Sequence, residues 1–168
     1  GSEITIAEPE LPVRGSARIA QAVPFALEEH LASDVEALHF AVGARPPGAV
    51  GTPVAVVARS TFERWLAQCD AAGLELSAAY ADTAAVPTAG AGCTLLLDGS
   101  QLYVRRPDSL PYLLDAEPLG AALDLALPGP AAEGETGEHV TFYTSTAEYE
   151  RQRELIEGLR SRTATLQV

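Results

Sequence analysis

No apolar run in this 168-residue chain approaches the eighteen or so residues that a membrane span requires. Its apolar segments are short and punctuated by 12 prolines and 14 glycines, so the chain must build its core from brief strands and helices. The 47% hydrophobic and 20% charged fractions are those of a globular chain. Its length leaves room for one ordinary domain or two small ones.

The net charge is -12 and the sequence pI about 4.5, which disfavours nucleic acid or an anionic lipid surface, because both reward Lys and Arg. A basic protein surface fits better. All 11 basic residues are Arg. Without lysine there is no phosphate-loop lysine, no kinase strand lysine, no Schiff base and no Ser-Lys dyad.

Ile4, Thr5 and Ile6 alternate ahead of Pro9 and Pro12 and predict a short strand. Ser16 is a plausible N-cap for a helix with Ile19, Val23, Ala26, Leu27 and Leu31 on one apolar stripe. Pro24 should kink that helix or divide it, leaving Glu28, Glu29 and Asp34 on an acidic second piece. Residues 38–42 and 54–59 then read as two strands around a Pro/Gly loop. Ser60 and Glu63 are spaced as a capping box for a helix that buries Phe62, Trp65, Leu66 and Cys69 and ends at Gly73. Residues 74–82 alternate as a further strand.

After a small-residue linker at 87–92, residues 94–105 read as a hairpin turning at Asp98 and Gly99, its first strand buried on both faces. Pro118 opens a short helix carrying Leu119, Ala122, Leu123, Ala126 and Leu127. Residues 128–137 read as a disordered loop, followed by a strand at 140–143. Ser145 and Glu148 form a second capping box, for a helix with Tyr149, Leu155, Ile156 and Leu159 on one face. A strand-like stretch at 163–168 and the tag-like Gly1-Ser2 suggest a fragment of a longer protein.

The chemical inventory is sparse. His30, His39 and His139 lie on three predicted elements without metal-ligand spacing, and Cys69 and Cys93 form no C-x-x-C, reading as buried apolar thiols in a reducing compartment. There is no G-x-S-x-G elbow. Gly90 and Gly92 precede a strand, whereas a dinucleotide loop must follow one and open a helix. The expectation is therefore no catalytic residue, no metal and no cofactor.

The stretch QAVPFALEEHLASDVEALHFA at 21–41 resembles the signature of the type II secretion system protein L family, in its cytoplasmic domain. VAVVAR at 54–59, AAGL at 71–74 and LLLDGSQLYVRR at 95–106 follow in the order that family shows. The resemblance covers most of residues 11–106; beyond about residue 110 it is one of general layout.

That resemblance implies a mixed α/β (α+β) fold of two actin-like lobes of ribonuclease-H type, similar to pilus-assembly protein M, with a small insert on the first. Residues 3–36 would be the tail of the first lobe, whose opening strands are absent. Residues 37–86 would be the inserted strand-strand-helix-strand subdomain, and 91–168 most of the second lobe. It also implies a non-enzymatic adaptor at the cytoplasmic face of the bacterial inner membrane, in a bitopic protein whose membrane segment lies outside this sequence. The implied partners are the N-terminal domain of the secretion ATPase, other inner-membrane platform proteins, and a second copy in a homodimer. Actin-like phosphate loops carry Asp-x-Gly and a downstream Thr, a spacing that Asp98-Gly99-Ser100 lacks. The candidate partner-binding residues are Glu28, Glu29, Asp34 and Glu36, with Arg59, Arg64 and Trp65 in the insert. Two other classes remain open: an actin-like nucleotide-binding ATPase, and a self-assembly module joined through strands 38–42 or 54–59.

Overall fold

In the computed structural model, residues 3–13, 15–45, 49–88, 90–127 and 137–168 are described. The readings of Gly1-Ser2 as a tag remnant and of the loop from 128 onward fall almost entirely outside them. The chain divides between residues 81 and 82 into two compact units, each with its own core.

The first unit is a three-stranded antiparallel sheet in the order β1-β3-β2, with β1 at Ile4–Ala7, β2 at Leu38–Val42 and β3 at Val54–Ala58. The predicted boundary at 36/37 therefore falls inside one sheet. Successive side chains alternate between faces, and the register puts Leu38, Phe40, Val42, Val54 and Val56 together on one of them. There they pack with Val23 and Leu27 of helix α1, Ser16–Leu27. His39 lies on the opposite face and stacks on Phe62 of helix α2, Arg59–Ala71, with ring centroids 4.3 Å apart.

Several local expectations are corrected here. Helix α1 is preceded by Gly15 as N-cap, so Ser16 caps nothing, and it runs through Pro24 without dividing. Its continuation is one 3-10 turn, Glu28–His30, and Asp34 instead caps a second 3-10 turn, Val35–Ala37. On the predicted stripe Val23 and Leu27 are buried, Ile19 and Leu31 half-buried and Ala26 exposed.

Helix α2 begins one residue before Ser60 with Ala58 as its cap, so the Ser60 capping box does not form: β3 runs straight into the helix and leaves no residue for a separate start. Its C-terminus matches expectation. Gly73 takes φ 69°, the Leu74 amide donates to the Cys69 carbonyl at 2.9 Å and the Gly73 amide to that of Asp70 at 2.9 Å, a Schellman motif. No residue of α2 is fully buried: Phe62, Trp65 and Cys69 are half-buried and Leu66 is exposed. The predicted strand at 74–82 is absent. Those residues pair with no strand, and Leu74, Leu76 and Tyr80 are exposed. Strand β3 is bonded on both sides, so of the two strands considered for self-pairing only β2 has a free edge among the described residues.

The second unit is a five-stranded sheet in the order β6-β5-β4-β7-β8. Strands β4 (Cys93–Asp98), β5 (Gln101–Arg105) and β6 (Tyr112–Asp115) form an antiparallel meander. Helix α3 (Leu119–Ala126) leads to β7 (His139–Tyr143), parallel to β4; helix α4 (Thr146–Gly158) leads to β8 (Thr165–Gln167), parallel to β7. Three antiparallel strands followed by two parallel ones reached through helices is the ribonuclease-H arrangement of an actin-like lobe.

The predicted apolar face of α3 is buried throughout, and Ile156 and Leu159 are buried in the same core, whereas Tyr149 is half-buried and Leu155 exposed. Pro118 sits just before α3 as its N-cap rather than within it. The β4–β5 turn is shifted by one residue from the expected Asp98-Gly99: Asp98 pairs with Gln101, leaving Gly99 and Ser100 in the turn, with Gly99 at φ 58°.

Arginine side chains add ties to main-chain carbonyls beyond those of the ladders. Arg45 donates to the Leu11 carbonyl and the Thr52 hydroxyl, Arg59 to the Leu38 carbonyl and Arg105 to those of Ala84 and Val86. Arg106 donates to the Ala126 carbonyl and through two nitrogens to the Glu138 carboxylate, and Arg160 donates to the Leu166 carbonyl.

Candidate functional site

The acidic segment at 28–36 is held by its apolar neighbours. Leu27 is buried, and Leu31 and Val35 are half-buried, which anchors the chain on either side of two 3-10 turns. Short 3-10 turns with apolar residues at one side push the intervening side chains outward, and Glu28, Glu29, Asp34 and Glu36 are all exposed. Asp34 is partly committed: its Oδ1 accepts from the Glu36 amide at 3.0 Å as a cap. Glu28, Glu29 and Glu36 have no side-chain partner among the described residues. The segment ends directly in β2.

The predicted basic residues do not form one group. Arg59 reaches back to the Leu38 carbonyl at 3.1 Å, at the start of β2, and so lies where the acidic segment ends. Arg64 pairs with Glu3 at 2.9 Å, just before β1, on the other edge of the sheet. Both partners of that pair are half exposed, so it contributes little. Trp65 is half-buried on α2.

In the second unit, the hairpin turn expected to lack the actin-like phosphate-loop spacing is engaged by the chain itself. The Gly99 amide donates to Glu148 Oε1 at 2.7 Å, and the Glu148 amide donates to Ser145 Oγ at 3.2 Å as the capping box predicted. Sequence spacing identified Glu148 only as a cap; its partner 49 positions away carries no local signal. The adjoining cleft, about 250 Å³, is lined by Ser100, Glu117, Arg151 and Gln152 among others. It sets two carboxylates, Glu117 and Glu148, against one guanidinium, an unfavourable lining for phosphate.

Among the described residues no group of His, Cys, Asp and Glu converges as a metal site. The Nδ1 of His139 lies 2.7 Å from the Thr165 hydroxyl, and His39 is taken up by its stack on Phe62. Both cysteines are free; Cys93 is buried, and burial pushes its thiol up to about 11, while Cys69 is half-buried rather than buried as expected. No helix among the described residues is long and apolar enough to cross a membrane.

Comparison with known proteins agrees with this layout. The model of the family "Type II secretion system (T2SS), protein L" matches residues 1–159. The type II secretion system protein L of Pectobacterium carotovorum is 33% identical over 153 residues, 91% of this chain and 35% of its own length. That of Dickeya chrysanthemi is 33% identical over 108 residues, 64% of this chain and 26% of its own. The chain thus spans about a third of the curated relatives it matches. Among solved structures, the cytoplasmic domain of EpsL, an inner membrane component of the type II secretion system of Vibrio cholerae, superposes with a TM-score of 0.68 at 25% identity. That superposition covers 86% of this chain and 58% of the EpsL domain. Matching family model, curated relatives and actin-like architecture together, the chain belongs to the type II secretion system protein L family.

Proposed function

We propose that this chain is part of a non-enzymatic adaptor at the cytoplasmic face of the inner membrane. It recruits the secretion ATPase through that enzyme's N-terminal domain and couples it to the other platform proteins. In this reading residues 82–168 supply the second actin-like lobe, and the sheet before them combines the tail of the first lobe with its insert.

The observation that carries the proposal is the segment at 28–36: three carboxylates with no side-chain partner among the described residues and one capping carboxylate are displayed together on an apolar-anchored strip. Such a strip suits a basic protein partner, and charges of this kind act on association rate and salt dependence more than on raw affinity. The carboxylate-lined hairpin cleft supports the non-enzymatic part of the reading over an actin-like ATPase.

Calorimetric titration with the N-terminal domain of the cognate secretion ATPase at two salt concentrations tests it, alongside a variant with Glu28, Glu29, Asp34 and Glu36 changed to Ala. Micromolar, salt-sensitive binding weakened in the variant is the expected result. A folded chain that gives no heat at either salt concentration rejects the reading. So does thermal stabilisation by ATP with magnesium, which would return the chain to the nucleotide-binding class.

A further inference from the structure

The acidic segment runs into a strand whose outer edge is open. Main-chain groups in an antiparallel ladder point alternately toward and away from the neighbouring strand. The Gly43 amide donates to the Pro53 carbonyl at 2.8 Å, which fixes the phase: His39, Ala41 and Gly43 turn their main-chain groups to β3, and Leu38, Phe40 and Val42 turn theirs outward. Arg59 verifies this independently, because it reaches the Leu38 carbonyl from outside the ladder.

The chain has already closed the first position of this edge. The Leu38 amide is bonded to the Val35 carbonyl and the Leu38 carbonyl to Arg59. Among the described residues two positions stay open, Phe40 and Val42, each presenting one donor and one acceptor. Their side chains lie in the α1-side core, while on the other face the strand shows only the small Ala41 and the ring of His39. No bulky or charged side chain of β2 obstructs an added strand. The usual protections of an edge, a lysine, a proline or a bulge, are absent from residues 38–42.

The opposite edge differs. Strand β1 turns Ile4 and Ile6 outward by the same alternation, but the acid beside it, Glu3, is paired with Arg64. Past its other end β1 continues into two exposed carboxylates, Glu8 and Glu10, whereas the β2 edge is preceded by three, Glu28, Glu29 and Glu36, none with a side-chain partner among the described residues.

We propose that the partner adds an extended segment to the β2 edge. That segment bonds the main chain at Phe40 and Val42, and its basic flank runs past Leu38 to meet Glu28, Glu29 and Glu36. The inference rests on the adaptor reading above and specifies how that partner docks: main-chain bonds supply the register and the carboxylates select a basic sequence.

Site-resolved amide hydrogen exchange of the whole chain, free and with the ATPase N-terminal domain, tests it. Phe40 and Val42 amides are expected to exchange at least about tenfold more slowly in the complex, with Ile4 and Ile6 unchanged. A chain carrying E28Q, E29Q and E36Q, which leaves the edge and the Asp34 cap intact, is expected to bind about tenfold more weakly at low salt and to lose salt dependence. Binding with no change at Phe40 and Val42, or with protection at Ile6 instead, overturns edge addition and leaves the adaptor reading standing. No binding by the folded chain overturns both.

Discussion

The carboxylate of Glu148 accepts the Gly99 amide at 2.7 Å, joining the first turn of α4 to the β4–β5 hairpin 49 residues earlier. The capping side chain thereby serves a tertiary purpose. It also holds a negative charge at the turn where an actin-like lobe would meet phosphate.

Replacing Glu148 with Ala is expected to destabilise the second unit by about 1–2 kcal/mol, as for one charge-assisted hydrogen bond lost with a helix-terminal charge. E148Q retains the acceptor oxygen and should recover about half of that. Urea unfolding of both variants measures it, and equal losses would mean that charge matters more than the hydrogen bond.

Leu27 and its neighbour Glu28 should respond oppositely to truncation. L27A removes a buried side chain from the α1 face and is expected to cost about 2–4 kcal/mol. E28A sits in water and should change stability by less than about 0.5 kcal/mol while weakening salt-sensitive partner binding. Paired denaturation and titration experiments would contradict this if E28A unfolded the chain as readily as L27A.

Arg106 is the most heavily used cation in the second unit. Its two nitrogens hold Glu138 at 3.0 and 2.9 Å, and the same guanidinium bonds the Ala126 carbonyl at 2.6 Å. R106A is expected to cost about 2–4 kcal/mol, and R106K to recover less than half, because an ammonium cannot reproduce the planar fork. Full rescue by lysine in a thermal melt would reduce the interaction to simple charge pairing.

Stability should fall at alkaline pH. Burial pushes the Cys93 thiol from its ordinary 9.0 up to about 11, and burial with the hydrogen bond to Asp82 pushes Tyr103 from 10.0 up to about 12. Both groups are held neutral when folded but ionise earlier when unfolded. Their contribution is full below pH 9, declines between about 9 and 12, and is constant above that. Unfolding free energy followed from pH 8 to 12 should show this slope, reduced in Y103F. At pH 8 a thiol reagent should modify Cys69 in the native protein and Cys93 only after denaturation.

The legibility of the fold varied with the range of the forces involved. The α3 face, the strand expected at 140–143 and the Schellman end of α2 were readable because each rests on side-chain period or on a glycine within a few residues. The residues at 74–82 show where pattern fails: alternation states that a stretch is able to form a strand, not that an edge waits for it. Ser60 and Glu63 have capping-box spacing, yet β3 is continuous with α2 and moves the start to Arg59. Similarly, the acidic residues at 28–36 were visible as charge on a helix end, but their relation to an open edge follows only from the register of β2 on β3. The pairing of Arg64 with Glu3, 61 positions apart, had no local trace.

The arginine ties leave the exposed carboxylates of this chain with few cations, among the described residues, free to answer them. With no lysine available, five guanidinium groups fold back onto main-chain carbonyls of Leu11, Leu38, Ala84, Val86, Ala126 and Leu166, so much of the positive charge is spent as internal stitching. The carboxylates outnumber the arginines 23 to 11, and those at 28–36 point into solvent. An approaching molecule therefore meets an exterior on which carboxylates are in excess, an imbalance felt over about one Debye length, 8–10 Å in physiological salt.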